Sequence, residues 1–210
     1  MQATVTADAS ARRGRPGYDR ESLLSVAVTV FNERGYDGTS MEDLAARLGI
    51  TKSAIYHHVS SKAELLRLAM DRALDGLFAV AAQPVGDSAT ERLEHLVRGS
   101  VDVLVAELPF VTLQLRVRGN TDVERAALAR RREFDQIVAD LVRHAVAEGG
   151  IRPDVDAAVT ARLLFGMVNS LTEWYRPTRG HDAAEIADAV VKVAFHGLRT
   201  AEKDQQQEPS

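Results

Sequence analysis

Residues 35–62 read GYDGTSMEDLAARLGITKSAIYHHVSSK, and this stretch decides the fold. Ser40 followed by Asp43 has capping-box spacing: the hydroxyl accepts from the N3 amide and the acidic side chain returns to the N-cap amide. The helix it opens carries Leu44, Ala45 and Leu48 on one face. Gly49 permits a tight turn, and Thr51 is placed to cap a further helix running from about Lys52 to His58. Ser61 and Glu64 repeat the capping pattern ahead of Leu65, Leu66, Ala69, Ala73 and Leu77. Two short helices joined by a glycine-containing turn form a helix-turn-helix, whose second helix fits a DNA major groove. Leu44, Ala45, Leu48, Ile50 and Ile55 supply its inner face, which leaves Lys52, Ser53, Ala54, Tyr56 and His57 outward. Lys52 and Ser53 suit guanine acceptors or phosphate, and Ala54 suits a thymine methyl. Tyr56, His57 and Lys62 are expected to donate to phosphates, with anion sites at the helix N-termini of Ser40 and Ser61.

On the N-terminal side, Asp19 is the expected cap of a helix with Leu23, Leu24, Ala27, Val28 and Phe31 at helical spacing, ended by Gly35. Before it, residues 1–17 read as a basic arm. Its Arg12, Arg13 and Arg15 suit either an A·T-rich minor groove or a solvated tail. On the C-terminal side the pattern is long helices only. One starts at Ser88 and stops at Pro109; a short piece spans Phe110 to Val117; one runs from an Asp122 cap to Glu148. Two more span Asp156 to about Tyr175 and about Ala183 to Thr200. The predicted fold class is all-α. The expected organisation is an arm (1–17), a three-helix helix-turn-helix head (18–62), a helical-bundle body for ligand binding and dimerisation (63–201), and a polar tail (202–210).

The net charge of −4 excludes a histone-like, charge-driven binder of nucleic acid. The charge is unevenly spread: residues 1–70 hold nine Lys/Arg against eight Asp/Glu, and the remainder 17 against 22. If DNA is the partner, the N-terminal third must hold it. Cysteine is absent, which excludes disulfides, thiolate catalysis and cysteine metal sites. No apolar run reaches the ~20 residues of a membrane span, and the first twenty residues contain no signal-peptide core, so a cytoplasmic protein without a membrane partner is expected. The six His residues lack metal-ligand spacing, and no phosphate loop or nucleophile elbow occurs; neither an enzyme nor a cofactor is expected. The competing reading is a helical scaffold that binds no DNA.

Gly-Tyr-x-Gly-Thr-Ser (35–40), Leu-Ala-x-x-Leu-Gly (44–49) and Ile-Tyr-His-His-Val-x-x-Lys (55–62), in that order, resemble the DNA-binding head of the tetracycline-repressor (TetR) family of transcriptional repressors. The resemblance covers about residues 20–70. It implies phosphate contacts at Ser40, Tyr56, His57 and Lys62, and base reading at Lys52, Ser53 and Ala54. It also implies a homodimer joined through its last two helices, a pseudo-palindromic operator on double-stranded DNA, and a small-molecule effector enclosed by the body. Gly150-x-Arg152-Pro-Asp-x-Asp156 and Thr172-Glu173-Trp174-Tyr175-Arg176-Pro177 look like members that sense acyl thioesters of coenzyme A.

Within the body, Val101, Leu104, Phe110, Phe134 and Phe165 are candidates to line an apolar cavity, with Asn169 as polar contact and Arg116 and Arg118 at its mouth for an anionic head group. A filled core is the alternative. Arg130-Arg131-Arg132 reads as a solvated helix face. Helix 156–175 is apolar on two sides, one carrying Val159, Leu163, Met167, Leu171 and Trp174, the other Ala161, Phe165, Val168, Thr172 and Tyr175. The last helix repeats this with Ile186 and Val190 beside Val191 and Leu198. Burying both sides suggests a two-fold four-helix interface, for which Val168, Thr172, Tyr175, Val191 and Leu198 are the candidate contacts.

Overall fold

The computed structural model describes residues 19–83, 85–177 and 180–197. Arg12, Arg13, Arg15 and Leu198 therefore lie outside the described residues, as do the arm and the polar tail. Within the described residues every regular element is helical: α1 (Arg20–Arg34), α2 (Met41–Leu48), α3 (Lys52–Tyr56), α4 (Lys62–Ala81), α5 (Ala89–Ala106), α6 (Leu108–Arg116), α7 (Asp122–Ala147), α8 (Ala157–Trp174) and α9 (Ala183–Val191). The fold is all-α, with a helix-turn-helix head and a larger helical body.

The caps explain where these helices begin. Asp19 accepts from the Ser22 amide at 2.7 Å, and Ser40 and Asp43 bond each other's backbone reciprocally. The second expected box is built differently. Ser61 accepts from the Glu64 amide, but the Glu64 carboxylate reaches one residue further back, to the Ser60 amide at 2.6 Å and its hydroxyl at 2.7 Å. Gly49 ends α2 at φ +66°, a left-handed conformation that lets its N–H reach the Ala45 and Ala46 carbonyls.

Three boundaries differ from expectation. Pro109 does not stop a helix; it sits in the first turn of α6, where its missing N–H costs nothing. Thr121, not Asp122, caps α7 by accepting from the Glu124 amide. The last helix is shorter than expected: α9 gives way at Val191 to a π turn, Lys192–His196, and Gly197 at φ +73° ends it.

Two apolar clusters form the core. The first is continuous from head to body, joining Leu23, Phe31, Leu44 and Ile55 to Leu65, Met70, Leu104 and Leu171. The second lies deeper in the body around Leu96, Phe134, Val138, Leu164 and Phe165. Helix α4 links them, with its first turns in the head and Leu77 and Phe78 against the second cluster. Helix α5 packs directly on α4: a methyl added at Gly99 would fall 2.5 Å from Val80 Cγ1, so only a bare backbone permits this approach.

Candidate functional site

The head presents α3 as its exposed surface because the opposite side of that helix is locked down. Ile55 is 0% exposed, and Val59 just beyond is buried with it, whereas Lys52, Ser53, Tyr56 and His57 face solvent. Ala54 is half-buried beside them. Thr51 is exposed, and its side chain accepts from the Ala54 amide at 3.2 Å, which fixes the start of α3. Lys52 forms an ion pair with Glu42 of α2, and its ammonium lies 5.9 Å from the Tyr56 ring. The pairing raises the Lys52 pKa and lowers that of Glu42, chiefly through their shared hydrogen bond.

Two of the expected phosphate contacts are already engaged within the protein. The Ser40 hydroxyl and amide both donate to the Asp43 carboxylate, at 2.5 and 2.8 Å, so the cap occupies the anion position at the start of α2. Lys62 donates to the Tyr36 carbonyl at 2.8 Å and the Thr39 carbonyl at 2.7 Å, and lies 4.2 Å from the Tyr36 ring centroid. It clamps the α1–α2 turn onto α4, leaving one of its three protons for any other acceptor. Sequence spacing could not show this, because the partners lie more than twenty residues away.

In the body the expected single cavity is divided. Val101, Leu104 and Phe110 are buried in the filled core that continues from the head, and the Arg72 guanidinium lies 4.3 Å from the Phe110 ring centroid. Phe134 and Phe165 instead pack edge-to-face at 5.1 Å in the second cluster. With Asn169 they line a slot between α4, α6, α7 and α8 whose free volume is about 30 Å³, room for roughly one water. Its other walls include Leu74 and Leu77 of α4, Gln114 of α6, and Arg131 and Asp135 of α7. Gln114 is only 5% exposed, and its amide nitrogen, cut off from solvent, meets no acceptor among the described residues. The sequence reading missed it, although an amide within the apolar run LPFVTLQL was a visible signal.

Arg116 and Arg118 do not stand at the mouth of that slot. Arg116 donates to the Asn32 carbonyl in the last turn of α1 at 3.0 Å. Both arginines line a separate cavity of about 270 Å³ between head and body, with Tyr36 and Asp37. The Arg130–132 run is also more than a solvated face: Arg130 pairs with Asp71 at 3.0 Å and Asp75 at 2.6 Å of α4, while Arg131 turns to the slot.

The two apolar sides of α8 are covered unequally. Val168 and Tyr175 are buried within the protomer, as is Val191 of α9, because α5 and α7 already cover that side. These three face their own core rather than outward. Thr172 is half-buried and donates to the Asn169 carbonyl. Of the other set Val159 (50%), Leu163 (66%) and Trp174 (55%) are exposed, flanked by Gly166 and Ser170, with Val193 (40%) beyond α9, whereas Met167 is half-buried and Leu171 belongs to the core.

Comparison with known proteins accounts for both halves. Residues 23–69 match the model for bacterial regulatory proteins of the tetR family, and residues 86–198 match the tetracyclin repressor-like C-terminal domain. The chain belongs to the TetR family. A TetR-family structure, SCO3833 from Streptomyces coelicolor A3, is 58% identical, with a TM-score of 0.80 over 85% of this chain and 91% of that one. The transcriptional repressor KstR2 of Rhodococcus jostii is 29% identical over 91% of this chain and 94% of its own. AibR, solved with isovaleryl coenzyme A and operator DNA, is 27% identical, with a TM-score of 0.71 over 84% of this chain and 97% of that one. This TetR-family chain is accordingly a transcription regulator and not an enzyme. No helix among its described residues is long and apolar enough to cross a membrane.

Proposed function

We propose that this chain is a cytoplasmic homodimeric repressor whose α3 helices read a pseudo-palindromic operator, and that a small apolar or acyl-thioester ligand in the body releases it. The observation that carries the proposal is the position of α4, which begins against the reading head and ends as a wall of the slot. A slot of about 30 Å³ admits no acyl group as it stands. An effector must therefore spread α4, α6, α7 and α8, and so favours a conformation in which the head is displaced. That difference in affinity between two conformations is what release requires; a ligand binding both equally would shift nothing. Lys52, Ser53 and Ala54 are assigned to bases, Tyr56 and His57 to phosphates, and the remaining Lys62 proton to one further phosphate.

The acyl-thioester class is supported by the likeness to AibR and by the sequence around Arg152 and Trp174. The repressor sense is supported by the likeness to KstR2. Dimerisation is assigned to the exposed sides of α8 and α9, where Leu163 and Trp174 would otherwise leave an apolar surface in water.

The test uses an operator selected by the purified protein from random duplexes. Fluorescence anisotropy then follows release by a series of acyl-coenzyme A esters, with thermal stabilisation measured in parallel. Stabilisation and release in the same concentration range are expected. Stabilisation that leaves operator affinity unchanged would sink the inducer role, and failure to select any duplex would sink the repressor.

A further inference from the structure

The polar groups around the slot specify more than an apolar ligand. Gln114 carries a buried amide nitrogen without an acceptor, and a donor held in this way costs stability until an oxygen meets it. Of the other side chains lining the slot only Asp135 and Asn169 carry oxygens, and neither accepts from it. An oxygen on a ligand that fills the slot would satisfy it.

A groove adjoins the slot. Asp135 lines both the slot and a groove of about 460 Å³ along the outer seam of α7 and α8. That groove holds Arg132, Arg143 and Arg162 against Asp135 and Asp140. Arg143 is neutralised by Asp140, but Arg131, Arg132 and Arg162 are not among the ion-paired arginines of the described residues. Most other arginines are paired, Arg72 with Glu107 and Arg130 with Asp71 and Asp75 among them. Arg131, Arg132 and Arg162 therefore gather beside the slot around one carboxylate, Asp135, and leave a net positive charge there.

The geometry points to an effector in two parts: a short acyl chain in the slot whose carbonyl oxygen accepts from Gln114, and a polyanionic carrier lying along the α7–α8 seam on Arg131, Arg132 and Arg162. Arg116 and Arg118 take no part, since they belong to the head–body cavity. This rests on the acyl-thioester reading above and adds where each part of the ligand goes. Guanidinium groups suit a phosphate-bearing carrier because their donors match phosphate oxygens in pairs.

Calorimetric titration of the full chain separates the two parts, using isovaleryl-coenzyme A and isovaleryl-N-acetylcysteamine, which has the thioester but no phosphates. Gln114→Leu is expected to weaken both by about tenfold, the loss of one buried hydrogen bond to the ligand. Arg132→Ala/Arg162→Ala is expected to weaken the coenzyme A ester tenfold or more and leave the cysteamine ester as it was. Arg116→Ala/Arg118→Ala should change neither. Loss of coenzyme A binding in the Arg116/Arg118 variant, with the Arg132/Arg162 variant unaffected, overturns the seam assignment while the thioester reading stands. Unchanged affinity in Gln114→Leu overturns the amide contact. If the unaltered chain binds neither isovaleryl- nor octanoyl-coenzyme A, the thioester reading itself fails and this placement falls with it.

Discussion

Lys52 shows how a single side chain can be both a candidate reader and engaged in the DNA-free protein. Its partner Glu42 must give it up before it meets a base, and that carboxylate also repels phosphates. Glu42→Gln should therefore tighten binding to all duplexes by a few-fold, whereas Lys52→Ala should weaken binding in a way that depends on sequence. Tyr56→Phe should weaken every duplex alike, as loss of a phosphate contact does. Unchanged affinity in all three folded variants would remove α3 from the interface. The caps carry a pH dependence of definite sign. Asp19, Asp43, Glu64 and Glu91 all titrate below their ordinary range, each chiefly because the backbone or hydroxyl of a serine donates to it. An acid depressed on folding adds stability above its unfolded pKa and loses it as pH falls through the folded one. Unfolding followed by circular dichroism should thus show acid destabilisation beginning below about pH 4.5, and Asp43→Asn should flatten it. Identical acid profiles for the two proteins would exclude this cap as a contributor.

At the scale of elements, Lys62 and α8 make opposite points. The Lys62 clamp joins α4 to the α1–α2 turn through two carbonyls, so Lys62→Met should lower stability by about 2 kcal/mol, the usual range for hydrogen bonds to a charged group. Retained stability with lost DNA affinity would restore it to a purely DNA-facing role. On α8, Leu163→Glu is expected to give a folded monomer with weak operator binding, whereas Val168→Glu should unfold the body, since its side chain is 2% exposed. Light scattering that finds Leu163→Glu still dimeric would reject the exposed face as the subunit contact. The periodicity of α8 revealed two apolar sides but could not say which one the protomer covers, because that depends on where α5 and α7 return. Helix type, the head and α3 were legible because local caps and spacing carry them. Lys62, Arg116 and the division of the cavity were not, because each depends on contacts between distant segments.

For the whole molecule, the proposed mechanism links the operator to the slot. Deleting residues 1–17 should leave thermal stability unchanged and reduce the salt dependence of operator binding, since three arginines would no longer displace counterions. An identical slope would show the arm to be a bystander. Operator half-sites should lie about 34–36 Å apart on one side of the duplex, as two heads of a dimer require. The buried amide of Gln114 has a consequence for how such a protein evolves in the laboratory. An unpaired buried donor costs roughly 1–3 kcal/mol, so replacing it with leucine or methionine should make the ligand-free protein more heat-resistant. A selection for thermostability alone would favour that change early, and its winners would need about ten times more effector before they left their operator.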